Sequence, residues 1–287
     1  MYATLLEAVH QADSDIHLVM FGLHDPGMLA ALEHRTHEGV PLNLYFDPNG
    51  SPHLHQRPLG AAFHPIRIKG LMHQKILVID DSLVFIGSAN FTASSLKMHD
   101  NLVIGMWSPT LAQFLKDHPP PEPGHFRAFI GGQDVELWLL PDARGSALAE
   151  MRHLIREAKE EVHCGLFALT HSGLIDELID AQRRGVKVHL ALDRNAGYGS
   201  SAKGYQRLRE AGIRVRLSEG MQLLHHKFLL IDGKTLISGS ANWTKAAFNQ
   251  NSDCLLILRN LNPQQQKVMM RIWRRLETES AVALYTK

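Results

Sequence analysis

The chain carries one polar string twice. His73-Gln74-Lys75 and His225-His226-Lys227 are each followed by four apolar residues, an aspartate (Asp80 or Asp232), and then Gly-Ser-Ala-Asn at 87–90 and 239–242. From His73 to Asn90 is 17 positions, and from His225 to Asn242 is again 17. Two copies with the same polar identities at one internal spacing do not arise by chance. The fold must therefore contain two matching halves, and a single site is expected to draw a histidine, a lysine and an asparagine from each.

Residues i and i+2 of a strand share a face, so His73 points with Lys75 and His225 with Lys227. The runs 76–79 and 228–231 are apolar at every position, as in a central strand covered on both faces. Turn residues follow at Asp81-Ser82 and Gly233-Lys234. Two-residue hairpins there predict Lys75 opposite Ser88, His73 opposite Asn90, Lys227 opposite Ser240 and His225 opposite Asn242. Each half would then gather His, Lys, Ser and Asn on one face. Asp80 and Asp232 have the opposite parity and read as strand-end residues that fix the turn.

These residues resemble the signature of the phospholipase D superfamily, His-x-Lys-x4-Asp followed by Gly-Ser/Gly-x-Asn. Both copies match it at every position, and the surrounding repeat extends the resemblance over nearly the whole chain. The resemblance implies a metal-free phosphodiesterase that works through a phosphohistidine intermediate, with His73 as nucleophile and His225 as acid and base. The residues alone leave the two histidines equivalent. The family commonly adds a glutamate, in an Asn-x-Glu string, that orients the histidine. Here Asn251-Ser252-Asp253 has an aspartate, and Met98-His99-Asp100 also lacks the asparagine. Asp100 and Asp253 each precede an apolar run, 102–104 and 255–258, and are expected to orient the histidines.

The repeat continues outside the motifs. Segment 16–21 aligns with 162–167, and 42–47 with 188–193, at an offset of 146; at the histidines the offset is 152. The six extra residues fall near 195–203, a Gly- and Ser-rich stretch that reads as a loop. Segments 28–37 and 174–184 have the apolar spacing of amphipathic helices. The alternation predicts an α/β fold: two similar phospholipase D-like α/β/α sandwich halves with mixed sheets, related by a pseudo-twofold. The expected halves are 1–118 and 126–287, joined by a Pro-rich linker at 119–125. A strand at 135–140 precedes the first helix of the second half. The first half starts almost directly in its helix, 2–12, so either the equivalent strand is absent or the natural chain begins earlier.

The 45% hydrophobic content is ample for a core, and no run of 18 apolar residues exists to form a transmembrane helix. No basic segment followed by an apolar one marks a secretory signal, so a soluble, cytoplasmic protein is expected. Cys164 and Cys254 lie in apolar runs and read as buried free thiols. The net charge of +1 hides an asymmetry, −5 over residues 1–125 and +6 over 126–287.

An anionic phosphodiester needs positioned cations and donors around its non-bridging oxygens. Lys75, Lys227, Asn90, Asn242, Ser88 and Ser240 are of the right types, so no cofactor or metal is expected; nor is there a Cys-x-x-Cys or His-Glu-x-x-His string. His226 should face away from His225 and be packed. His171 reads as a surface-loop histidine, with the mouth of the site as its other reading. Arg194, Lys203, Arg207 and Lys245 are candidates for contacts to substrate. Three functions compete: a phospholipid head-group hydrolase or transferase, a metal-independent nuclease, and an inactive scaffold, against which the complete polar sets weigh. The phospholipid reading is preferred. The apolar string Met221-Gln-Leu-Leu224 beside His225 would form a lip for peripheral membrane contact, and no basic–aromatic run for stacking bases is present. One chain should suffice for one site.

Overall fold

The computed structural model describes residues 1–219 and 222–282. The first half opens with helix α1 (Tyr2–His10), strand β1 (Ile16–Met20), α2 (Pro26–His37), β2 (Leu42–Phe46) and β3 (Ala62–Pro65). The first motif hairpin follows, β4 (Lys75–Ile79) and β5 (Leu83–Gly87), then α3 (Ala93–Lys97), β6 (Val103–Trp107) and α4 (Pro109–Asp117). The second half begins with β7 (Gly124–Ile130), β8 (Gln133–Leu139), α5 (Ser146–Glu157), β9 (Glu161–Leu166), α6 (Ser172–Arg183) and β10 (Lys187–Leu192). After α7 (Arg194–Tyr198), α8 (Ala202–Glu210) and β11 (Val215–Ser218) comes the second hairpin, β12 (Lys227–Ile231) and β13 (Thr235–Gly239). The chain continues as α9 (Lys245–Asn249), β14 (Cys254–Arg259), α10 (Pro263–Thr278) and β15 (Ser280–Val282).

The strands form two mixed sheets, in the orders β3-β2-β1-β4-β5-β6 and β15-β11-β10-β9-β12-β13-β14-β8-β7. In each, three parallel strands are joined to an antiparallel motif hairpin, β1 beside β4 and β9 beside β12. β1, β4 and β12 are buried at every position, as the unbroken apolar runs 76–79 and 228–231 predict for the two motif strands. Three hydrophobic clusters result. One packs α1 and α2 on the outer face of the first sheet, and another packs α5, α6 and α8 on the second. The third lies between the halves, where Val19, Ile76 and Val78 share a core with Phe228, Leu230 and Leu256 under α4 and α10. The two halves are therefore fused through a common apolar layer.

Local chemistry sets the element ends. Asp25 caps α2 by accepting the Met28 amide, with Pro26 in the first turn, where its missing N–H costs nothing. Asn262 and Gln265 form a reciprocal capping box on α10. Asp193 caps α7 by accepting the Ala196 amide, and this turns part of the segment expected as a loop into helix. β7 was not anticipated: it starts at Gly124, within the Pro-rich joint, and pairs with β8. The strand expected at 135–140 is β8, on the far side of β14; the first sheet ends at β6.

The motif hairpins differ from the expected register by one residue. Ile79 pairs with Leu83 and Ile231 with Thr235, so the loops hold three residues, 80–82 and 232–234. The reason lies in the aspartates. Asp80, Asp81 and Asp232 have φ of 51°, 54° and 49°, in the left-handed region that Asp tolerates better than most residues. The Asp80 carboxylate accepts the amides of Asp13, Ser14 and Asp15, and that of Asp232 accepts those of Lys159, Glu160 and Glu161. Each aspartate thus clamps the loop entering β1 or β9 and stays remote from the site.

Candidate active site

Each motif histidine lies just before its strand, on a segment that crosses to the other half. Met72 bridges to Ser252, and Leu224 bridges to Asp100. The offset of 152 relates Met72 to Leu224 and Asp100 to Ser252, so the two contacts are one contact made twice, as a pseudo-twofold requires. The His73 amide donates to the Ser252 carbonyl, and the His225 amide to that of Asp100. Leu224 is fully buried in this crossing and is core, not lip. Met221 lies outside the described residues.

The side chains follow the same exchange. His73 Nδ1 is 2.8 Å from Asp253 Oδ1, across the halves. His225 Nδ1 is 2.9 Å from Asn101 Oδ1, again across the halves. Asp253 therefore orients a histidine as expected, but Asp100 does not. The offset of 152 maps Asp253 onto Asn101, one position beyond the residue that the apolar runs suggested. Asp100 turns away, with its carboxylate 3.6 Å from Arg275. The amide of Asn101 cannot be reversed, because Nδ2 donates to the Ser95 carbonyl at 2.9 Å. Its Oδ1 then faces His225, whose Nδ1 must carry the hydrogen.

Ser88 and Ser240 do not reach toward a substrate. The Ser88 hydroxyl donates to Asn101 Oδ1 at 2.8 Å, and that of Ser240 to Asp253 Oδ1 at 2.6 Å. They stiffen the residues that hold the histidines. They are reached past the strand ends because Gly87 and Gly239 sit against the next strand. A Cβ there would lie 2.2 Å from the Leu102 carbonyl oxygen or 2.3 Å from that of Cys254. Lys75 and Lys227 are buried, and each Nζ donates back to the carbonyl of its own histidine. Asn90 Oδ1 accepts the Gly22 amide, leaving Nδ2 for a ligand, whereas Asn242 Oδ1 is buried without a partner.

Two aromatic residues complete the walls. Phe21 lies 5.1 Å under Lys75 Nζ and 5.3 Å from the His73 ring. Phe167 lies 5.4 Å under Lys227 Nζ and 5.2 Å from the His225 ring. The offset of 146 relates the two phenylalanines, a signal present in the sequence but not used for the site.

A family model described as "Cardiolipin synthase, PLD-like domain" matches residues 5–118 and again residues 151–276. The chain belongs to this phospholipase D-like family. The mitochondrial cardiolipin hydrolase of Mus musculus is 33% identical over 116 residues, 40% of this chain and 52% of that protein. The phospholipase D of Rickettsia bellii is 29% identical over 150 residues, 52% of this chain and 73% of that protein. The chain spans about half the length of the curated relatives it matches, 50% for the cardiolipin hydrolase of Chlamydomonas reinhardtii. The phosphatidylserine synthase of Haemophilus influenzae Rd KW20 superposes with a TM-score of 0.78 at 14% identity, over 98% of this chain and 85% of that one, and so shares the fold.

Within this phospholipase D-like centre the charges are crowded. Burial lowers Lys75 to about 7, against the pull of Asp253, Cys254 and Asp47. Burial and the charge of Lys75 hold Lys227 well below the usual lysine range. His73 is lowered by burial and Lys75, and is partly restored by Asp253. His225 is held well below the ordinary imidazole range by burial, then by Lys227, Lys75 and His73. Burial works to raise Asp253, but His73, Lys75 and Ser240 outweigh it and keep it ionised. The centre is short of negative charge, and an anion bound among these groups would relieve every repulsion at once.

The remaining candidates lie elsewhere. His171 is buried, not a surface-loop residue: it precedes α6, and its ring packs 5.8 Å from Phe248. Arg207 pairs with Asp176, and Arg194 lies over the Tyr198 ring at 5.9 Å. Lys203 and Lys245 are exposed on α8 and α9. Among the described residues, none of these five makes a hydrogen bond, ion pair or ring contact with His73 or His225. His226 is buried against Phe228 and pushed by burial to about 3, on the face away from His225. Cys164 and Cys254 are buried free thiols. Among the described residues, no helix is long and apolar enough to cross a membrane.

Proposed function

We propose that the chain is a metal-independent phosphodiesterase that cleaves or transfers phospholipid head groups. The observation that carries this reading is the exchanged pair of histidines, each with Nδ1 held by the opposite half so that Nε2 faces a centre containing Lys75 and Lys227. His73, with a carboxylate behind it, is the nucleophile. Its Nε2 forms a bond to phosphorus as the bond to the leaving alcohol breaks, and His225 as imidazolium gives that alcohol its proton. Water, or an alcohol in the transferase case, then attacks phosphorus. The P–N bond breaks, and the proton of the attacking group passes to His225. Lys75, Lys227 and the Nδ2 groups of Asn90 and Asn242 receive the charge on the non-bridging oxygens. Both sets come from one chain, so a monomer is sufficient.

The lipid substrate is supported by the names of the relatives, cardiolipin hydrolases and phospholipases D. It is also supported by two apolar side chains beside the site, one near each histidine. Leu71 is 39% exposed two residues before His73, and Met98 is 54% exposed beside His99, whose ring is 6.4 Å from that of His225. These give a bilayer something apolar to meet.

The test is a panel of phosphatidylcholine, cardiolipin, single-stranded and duplex DNA, and RNA, all with excess chelator. Release of a head group or of phosphatidic acid from lipid vesicles is expected. Cleavage of nucleic acid with every lipid untouched would replace the substrate by the nuclease reading and keep the chemistry. Activity that disappeared with chelator while circular dichroism showed the fold intact, and returned with a divalent ion, would overturn the mechanism.

A further inference from the structure

A second polar cluster lies on the other face of the second sheet. Lys227 pairs with Leu166 of β9, whereas His163 pairs with Leu230, three residues along. Three residues is about 10 Å of strand and an odd number, so His163 points away from the catalytic face. Glu161 and His163 are i and i+2 on β9 and share that face. His189 is the direct partner of His163 on the parallel neighbour β10. One strand thus offers two ligating groups and the next strand a third, a facial arrangement.

The ligating atoms of Glu161, His163 and His189 all lie within 4.8 Å of one another, and His189 Nε2 is 3.9 Å from the Glu161 carboxylate. The two imidazoles are stacked, 4.6 Å apart at 8°, so one ring must swing out of the stack for the ligands to reach the spacing of about 3.3 Å set by a tetrahedral ion with bonds near 2 Å. His163 is 3% exposed, and its Nδ1 is buried with no hydrogen-bond partner. A buried imidazole nitrogen without a partner is costly unless something occupies it. Trp273 of α10 packs at 4.9 Å against His163 and 6.0 Å against His189, holding both rings.

We propose that Glu161, His163 and His189 bind one divalent transition-metal cation of the zinc class, at a structural site that ties β9 to β10 and takes no part in the phosphodiester chemistry. Two imidazoles and one carboxylate leave a fourth position open. A cavity of about 320 Å³ lies beside His189, lined also by Lys187, Arg214, Arg216, Trp273 and Glu277, with room for water. Of the cations there, Arg216 is held by Glu277 at 3.4 Å. The positions 146 residues earlier are Asp15, His17 and Asn43, so in the first half an asparagine stands where His189 does. The Asp15 carboxylate is ion-paired with Lys116.

The experiment is a zinc titration of the chelator-stripped full chain by calorimetry, with the visible spectrum of the cobalt form reporting the ligand set. Glu161→Gln and His189→Phe are the variants, chosen because both positions are partly exposed and the phenyl ring keeps the stack; circular dichroism checks that they fold. His73→Ala serves as control. One zinc per chain is expected, with a rise in Tm of roughly 5 °C at a hundredfold excess over Kd. Loss of a ligand should weaken binding by more than the roughly 10- to 100-fold that loss of a supporting hydrogen bond costs. His73→Ala should bind as wild type. No stoichiometric binding, binding unchanged in both variants, or binding lost in His73→Ala instead, would overturn the proposal.

Discussion

Asp253 accepts a hydrogen bond from the His73 ring at 2.8 Å, although 180 residues separate them. The symmetry-related partner of His225 is Asn101, so the two histidines differ in what stands behind them. A carboxylate favours the imidazolium that forms when Nε2 bonds to phosphorus, whereas a carboxamide fixes the same tautomer without that charge. The inequivalence that the motifs conceal is written one strand later, in a single Asn/Asp difference.

Exchanging those partners should therefore separate their roles. Asp253→Asn is expected to lower kcat by about 10²-fold or more, since His73 loses its counter-charge. Asn101→Asp places a carboxylate beside His225 and raises its pKa. The acid form of His225 is lost as pH rises through that pKa, so the alkaline limb of kcat/KM against pH should move to higher pH. Profiles of wild type and Asn101→Asp that superimpose would count against the assignment of His225 as acid.

The buried lysines predict a conflict between stability and function. Lys75 falls from the usual lysine value to about 7 on burial, so the folded state disfavours its charge. That cost is fully present below pH 7 and fades as pH rises toward 10.5, where the unfolded side chain also loses its proton. Lys75→Met should raise Tm by several degrees at pH 7, by much less at pH 10, and abolish turnover. Thermal scans at the two pH values, with one assay, check all three; a lowered Tm at pH 7 would contradict the reading.

Much of this was legible in the residues. The apolar runs 76–79 and 228–231 mark the central strands, and the duplicated spacing marks the shared site. What escaped has particular causes. The hairpin register slipped because Asp80 and Asp232 leave the ladder in a left-handed conformation to bind a neighbouring loop, which local turn propensity does not show. Asn101 escaped because the two halves were matched there by their apolar runs and not by the offset of 152 that relates it to Asp253; its partner lies 124 residues away. His171 was misplaced because burial of a polar residue before a helix depends on tertiary packing, here against Phe248. The exposed cations of α7, α8 and α9 gave no signal separating a groove from a solvated face.

Anion binding should draw protons into the site. Burial lowers His225, Lys75 and Lys227, and the neighbouring cations lower His225 and Lys227 further. An anion between them raises all three, so binding is linked to proton uptake and tightens as pH falls. Sulfate is the suitable probe because its own charge is constant from pH 5 to 9. Calorimetry in buffers of different ionisation enthalpy should report net uptake near pH 7, and Lys227→Met should reduce it. Affinity independent of pH across that range would remove the electrostatic argument.

The final prediction separates nucleophile from acid by leaving group. His73→Ala removes the nitrogen that bonds to phosphorus, so no leaving group restores the covalent route. His225→Ala removes only the proton donor. That loss matters most for an ordinary alcohol, which departs poorly as an alkoxide, and least for a nitrophenolate, which departs without protonation. A nitrophenyl phosphodiester should therefore recover a large part of the activity lost in His225→Ala and little of that lost in His73→Ala. His225→Ala should also accumulate phosphohistidine, because the water that resolves the intermediate has lost its base. Rapid acid-free quench and mass analysis would find the phosphate on His73. Equal rescue of the two variants, or phosphate trapped on His225 in the His73→Ala protein at wild-type rates, would reverse the assignment and leave the Asn101/Asp253 difference without a catalytic meaning.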